Sequence, residues 1–97
     1  MASIVKIAIA QINCTVGDLS GNASKILDYC ERARAAGAGL VLTPELALCG
    51  YPPEDLLLRD GFYRDCNVAL EALARKVGDI TLVVGHPHQV ERSESVV

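Results

Sequence analysis

A glutamate follows a proline at the end of an apolar run: Gly39-Leu40-Val41-Leu42-Thr43-Pro44-Glu45. A short apolar run that stops at Pro reads as a buried strand reaching its carboxyl end, because Pro has no N–H with which to continue a ladder. In open α/β sheets that edge is where ligands bind. A carboxylate there, flanked by Leu42, Leu46 and Leu48, is expected to be partly desolvated. Desolvation disfavours the charged form and suits a general base working near neutrality. The alternative reading is a Glu facing solvent after a strand, and the residues alone leave both open.

Other reactive side chains point less sharply to chemistry. Cys49 lies close to Glu45, but no His or Lys stands beside it in the sequence to activate a thiolate. His86 and His88, split by Pro87, share one face at the end of another apolar run. Without a carboxylate ligand pattern they read as polar loop residues at a strand end rather than a metal site. Asp18, Glu54, Asp55 and Asp60 read as solvated charges of loops and helix starts. Gly17 and Gly21 lack dinucleotide-binding spacing, and no Gly-x-Ser-x-Gly elbow is present.

The elements that must position Glu45 follow from periodicity. Ile4 to Ile12 is apolar with little alternation, the pattern of a strand covered on both faces in a parallel sheet. Asn13 to Gly21 is loop. Asn22 is a good N-cap for a helix ending at Ala36, with Gly37 as its left-handed C′ residue and Ile26, Cys30 and Ala33 along one face. Gly39 to Thr43 is the second strand. A second helix spans Phe62 to Lys76, with Cys66, Leu70, Leu73, Ala74 and Val77 inward and Arg64, Asp65, Glu71 and Arg75 outward. Ile80 to Gly85 is the third strand.

Strand, helix, strand, helix, strand is an α/β order with right-handed crossovers. If the strands lie in sequence order, both helices fall on one face of the sheet. The other face then leaves about half of Ile7, Ile9, Leu40, Leu42, Leu82 and Val84 bare, and a patch of that kind marks a missing partner surface. Ser95-Val96-Val97 reads as the start of a further strand. The chain is therefore expected to be the front part of a larger domain, or a unit that pairs with another chain.

Composition bounds the function classes. Ninety-seven residues make one small domain at most; 51% are hydrophobic and 22% charged, which is globular and not disordered. The net charge of −3, with nine scattered basic residues, offers no patch for nucleic acid or an anionic membrane. The apolar segment within Met1–Ala10 is too short to span a membrane or to act as a signal peptide, so a cytoplasmic location is expected. The four cysteines, at 14, 30, 49 and 66, are too widely spaced for a Cys-x-x-Cys site and read as reduced thiols, with Cys30 and Cys66 packing on helix faces. Asn22-Ala23-Ser24 matches a glycosylation sequon, which carries no meaning without secretion.

Several segments together resemble one family. Lys6-Ile7-Ala8-Ile9-Ala10-Gln11, Val16-Gly17-Asp18 with Gly21-Asn22, Leu42-Thr43-Pro44-Glu45-Leu46 and Gly50-Tyr51-Pro52-Pro53-Glu54-Asp55-Leu56-Leu57 are similar to the carbon–nitrogen hydrolase (nitrilase) superfamily. Within it, they look like the glutaminase domains of glutamine-dependent NAD+ synthetases. The resemblance covers Lys6 to His88, and the Tyr-Pro-Pro-Glu-Asp-Leu-Leu run is its more specific part.

The resemblance implies an αββα sandwich and a Glu-Lys-Cys triad in which a Cys attacks the glutamine amide and releases ammonia. A separate synthetase domain, using ATP and Mg2+, then amidates nicotinic acid adenine dinucleotide. Glu45 matches the general base and Tyr51 the site-lining tyrosine. The family's Lys and Cys lie downstream of Val97; Cys49 follows the Glu too closely and Lys76 is at the wrong place. Residues 1–97 are thus expected to be the amino-terminal portion of the glutaminase domain, inactive alone, with no cofactor of its own and a homo-oligomeric parent. Two other readings stay open: the same piece of another nitrilase-type amidase, and a non-catalytic βαβ module binding a partner through its open sheet face.

Overall fold

The computed structural model describes residues 5–59 and 61–87. Three short strands, β1 (Ile7–Ile9), β2 (Leu40–Leu42) and β3 (Thr81–Val83), form a parallel sheet in the order β1-β2-β3. Helix α1 (Leu19–Ala35) joins the first two strands, and α2 (Phe62–Lys76) precedes the third. A 3-10 helix at Glu54–Leu58, which periodicity did not disclose, sits between Tyr51 and α2. The α/β class and the βαβαβ order match the expectation. The ordered strands are shorter than the apolar runs that contain them, and Ile4, His88 and Ser95-Val96-Val97 lie outside the described residues.

The register explains which side chains form the core. Ala8, Val41 and Leu82 are aligned across the sheet, as are Ile7, Leu40 and Thr81, and Ile9, Leu42 and Val83. Side chains alternate between faces, so only the first row points towards the helices. Val41 is fully buried there, packed with Ile26, Cys30, Ala33, Leu48 and Leu73. Leu82 and Val84 join this side and do not belong to the bare face.

The opposite face is open. Ile7 is 52% exposed, Ile9 74% and Val83 51%. The two-sided cover read from the first strand's composition is therefore not provided by the described residues. Helices α1 and α2 pack on each other over one face, as two right-handed crossovers require.

Local chemistry explains the helix ends. Helix α1 is capped by Asp18, not Asn22: the Asp18 carboxylate accepts from the Gly21 N–H at 3.1 Å, and the Asp18 carbonyl accepts from the Asn22 N–H at 2.8 Å. A carboxylate directly before Leu19 satisfies first-turn donors, which frees Asn22 for contacts elsewhere. The helix ends at Ala35 with Ala36 as its C-cap, and Gly37 follows with a left-handed φ of 90°. Lys6 Nζ donates to the Ala36 carbonyl at 2.8 Å, putting a cation on the negative end of α1. Helix α2 has the expected bounds. Phe62, Cys66 and Leu73 are its buried residues, Leu70 and Val77 are half-buried, and Ala74 is exposed, a departure from the expected stripe.

Candidate active site

The strand ends converge on the turn that carries Glu45. Beyond β2 the backbone continues its pairing for one residue, the Thr43 N–H donating to the Val83 carbonyl at 3.1 Å. The Thr43 hydroxyl also donates to that carbonyl at 3.1 Å and accepts from the Gly85 N–H at 3.3 Å. Pro44 then stops the ladder. The chain folds back at once: the Ala47 N–H donates to the Pro44 carbonyl at 3.2 Å and the Gly50 N–H to the Leu46 carbonyl at 2.8 Å.

Leu46 has φ 52°, in the left-handed region that L residues with a branched side chain adopt at a cost of about 1–3 kcal/mol. Such a conformation persists only when its surroundings over-determine it, and they do. From the β3 side, Gly85 lies against the turn. A Cβ at Gly85 would have no room beside the Leu46 nitrogen and would stand 3.1 Å from the Pro44 oxygen. The Gly85 carbonyl accepts from the Leu48 N–H at 3.2 Å.

From the α1 side, Asn22 is fully buried and spends its whole amide on two loops. Its Nδ2 donates to the Thr15 carbonyl at 2.7 Å and the Leu48 carbonyl at 3.0 Å, while its Oδ1 accepts from the Thr15 N–H at 2.8 Å. Gly50, at φ 84°, closes the turn against the same loop. A side chain there would meet the Val16 Cα at 2.6 Å, and the Cys49 carbonyl accepts from the Gly17 N–H at 2.8 Å.

Glu45 is exposed at the head of this turn. The desolvation anticipated from its leucine neighbours is absent: Leu48 is buried in the core and Leu46 packs against Cys49, Phe62 and Cys66, which leaves Glu45 exposed. What the turn supplies is a fixed position. Beside it, an open groove of about 500 Å³ runs along Ile9–Asn13 and Thr43–Pro44 at the carboxyl edge of the sheet. Tyr51 follows the turn, 62% exposed, with a cis peptide to Pro52.

Cys49 is turned inward. It is fully buried with Phe62 and Cys66, and its thiol lies 3.5 Å from the Gly50 carbonyl. Burial pushes its pKa up, which holds it as the neutral thiol and not the thiolate a nucleophile requires. His86 sits at the end of β3 with Nδ1 3.2 Å from the Pro87 carbonyl; its proposed companion His88 lies outside the described residues. Among the described residues no three His, Cys, Asp or Glu side chains gather into a group that could hold a metal ion. No described helix is long and apolar enough to cross a membrane.

Sequence reasoning singled out Glu45, with Tyr51 from the family resemblance, and missed Asn22, Thr43, Leu46 and Gly85 as the residues that hold the turn. A Thr directly before the strand-ending Pro and a Gly at the end of an apolar run were the available signals. Asn22 gave a misleading one, since Asn before an apolar helix face looks like a cap.

A parallel sheet backed by two helices, with a carboxylate on a strained turn at its carboxyl edge, defines the βαβαβ portion of an α/β domain. The chain belongs to the carbon-nitrogen hydrolase family, whose model matches residues 6–93. It is 49% identical over 88 residues to a glutamine-dependent NAD(+) synthetase of Xylella fastidiosa (strain Temecula1), covering 90% of this chain and 16% of that protein. The crystal structure of a glutamine-dependent NAD(+) synthetase from Cytophaga hutchinsonii superposes with a TM-score of 0.84 at 33% identity, covering 91% of this chain and 15% of that one. A mutant amidase from Nesterenkonia sp. AN1, with the acetamide moiety of fluoroacetamide added covalently at its active-site cysteine, matches with a TM-score of 0.67 at 31% identity. That match covers 80% of this chain and 30% of the amidase. The chain thus spans about a sixth of the length of the synthetases it matches.

Proposed function

We propose that these residues are the front portion of a nitrilase-type glutaminase domain whose ammonia serves the synthesis of NAD+. The observation that carries this reading is the Glu45 turn, a backbone gripped from three sides that carries an exposed carboxylate at the carboxyl edge of a parallel sheet. The long similarity to glutamine-dependent NAD(+) synthetases supplies the substrate class. Glu45 is the general base and Tyr51 lines the glutamine site; the Lys and Cys of the triad come from chain beyond Val97.

The chemistry assigned to Glu45 is proton transfer. Its carboxylate takes the proton of the cysteine thiol as sulfur attacks the glutamine amide carbon, and the proton passes to the leaving nitrogen as the C–N bond breaks. Ammonia leaves and a thioester remains, which water cleaves to glutamate. A fixed backbone at Glu45 serves this step because general-base transfer depends on hydrogen-bond reach to the proton. ATP, Mg2+ and nicotinic acid adenine dinucleotide belong to a synthetase portion elsewhere in the parent polypeptide, which we place in the cytoplasm as a homo-oligomer. The bare face of Ile7, Ile9, Leu42 and Val83 receives the second half of the domain.

The test is Glu45→Gln in the full-length polypeptide that carries these residues. Glutamine hydrolysis is expected to fall while NAD+ formation from free ammonia continues. Retained hydrolysis in the variant, or an unaltered protein with no activity on glutamine, would overturn the reading.

A further inference from the structure

The Glu45 turn has few local bonds of its own. Leu46 occupies the left-handed region, and only two backbone bonds close the turn on itself. Its conformation therefore depends on what grips it from outside. Gly85 and Thr43 do so from the neighbouring strand, through parts of the same sheet edge. The remaining grip comes from a side chain distant in sequence. Asn22, in the first turn of α1, reaches the Leu48 carbonyl three residues beyond Glu45, and with its remaining donor and its acceptor it holds both backbone groups of Thr15.

We propose that Asn22 is a positioning residue for the Glu45 carboxylate, acting through the Leu48 carbonyl. The inference rests on the glutaminase reading above for its catalytic consequence, and on the hydrogen bonds alone for its structural one.

The side-chain chemistry is specific to an amide. Two carbonyl acceptors and one N–H donor face Asn22, and only a group with two donors and an acceptor matches all three. Ala leaves the part-buried Thr15 N–H and the buried Leu48 carbonyl without that partner. An ionised carboxylate sets negative oxygens against two carbonyl oxygens. A protonated carboxyl, with one donor and one acceptor, restores part of the set. Asn22 has no contact of its own with the exposed Glu45 side chain, so its influence runs through the backbone of residues 46–48.

The experiment uses the full-length polypeptide with Asn22→Ala and the near-isosteric Asn22→Asp. Hydrogen exchange is followed by mass spectrometry on peptides covering residues 44–50 and, as an internal reference, residues 66–76. In both variants at alkaline pH the turn peptide is expected to exchange faster while the α2 peptide does not. Misplacing a catalytic group is expected to lower kcat for glutamine by about 10- to 100-fold. KM is expected to change by less than about twofold, since the loss is confined to the transition state.

The Asn22→Asp variant is expected to gain an acid-side limb in its kcat profile, relative to the unaltered protein, as the introduced carboxyl protonates. It keeps the test open should Asn22→Ala fail to fold. Unchanged exchange of the turn peptide overturns the proposal, as does a loosened turn with kcat intact. If the unaltered protein does not hydrolyse glutamine, the glutaminase reading falls, and the exchange result alone decides whether Asn22 holds the turn.

Discussion

Gly85 and Leu46 are in direct backbone contact across the edge of the sheet: the space a Cβ of Gly85 would fill is taken by the Leu46 nitrogen. The contact joins the end of β3 to the one non-glycine residue with positive φ among the described residues. A strained turn and a glycine-sized gap are thus two halves of one device, which sets where the Glu45 backbone stands.

Gly85→Ala tests that device. The added methyl meets backbone, which cannot rotate aside, so the turn must shift at a cost of about 1–3 kcal/mol. The expected outcome is a lower denaturation midpoint together with loss of glutamine hydrolysis. An unchanged midpoint would show that β3 and the turn are not pressed together.

Glu45→Gln is expected to separate function from folding. Glu45 is exposed, so the substitution should alter stability by no more than about 0.5 kcal/mol. Loss of a general base should lower hydrolysis by about 10²- to 10⁴-fold. Thermal denaturation and a glutamate-release assay on the same preparation measure the two effects.

Burial pushes the Cys66 thiol up to about 11 from an ordinary value of 9.0, with the neighbouring Cys49 adding to the shift. A group whose folded pKa is raised contributes stability that is present below its unfolded pKa and lost as pH climbs through the folded one. Stability is therefore expected to decline between pH 9.0 and about 11, and Cys66→Ala is expected to flatten that decline. Denaturant titrations across this range check it. In the same range Cys49 and Cys66 should resist alkylation until the protein opens, while the half-buried Cys14 reacts first.

The open sheet face predicts opposite effects of one substitution in two contexts. Residues 1–97 alone are expected to bind an apolar dye or self-associate, and Ile9→Lys should weaken both by charging the most exposed isoleucine of that face. In the full polypeptide the same Lys is expected to destabilise by about 2 kcal/mol or more, because a charge is then buried. A neutral result in the full polypeptide would mean that nothing covers the face.

Much of this was legible from the order of residues, and the rest was not, for reasons that can be assigned residue by residue. Apolar runs without alternation marked the three strands, and the 3.6-residue spacing of Ile26, Cys30 and Ala33 and of Cys66 and Leu73 marked the faces of two helices. These are local signals, carried by residues close in the chain, so periodicity reports them. Given strands in sequence order, the handedness of the crossovers put both helices on one face and left the other bare; the order itself, β1-β2-β3, came from the pairing in the structure. Glu45 stood out because Pro44 punctuates the backbone beside it, and Tyr51 was named only through the family resemblance.

Tertiary structure decided how that site is held. The hydrogen-bond partners of the buried Asn22 are 7 and 26 residues away. The atoms that exclude a side chain at Gly85 belong to residues about forty positions earlier. Asp18 took the capping role because its carboxylate reaches the Gly21 N–H, and that left the Asn22 amide to bridge two loops. Whether Glu45 was desolvated also depended on where Leu42, Leu46 and Leu48 turned. Hydrogen-bond direction and steric exclusion act between atoms brought together by folding, and no spacing along the chain encodes them in advance.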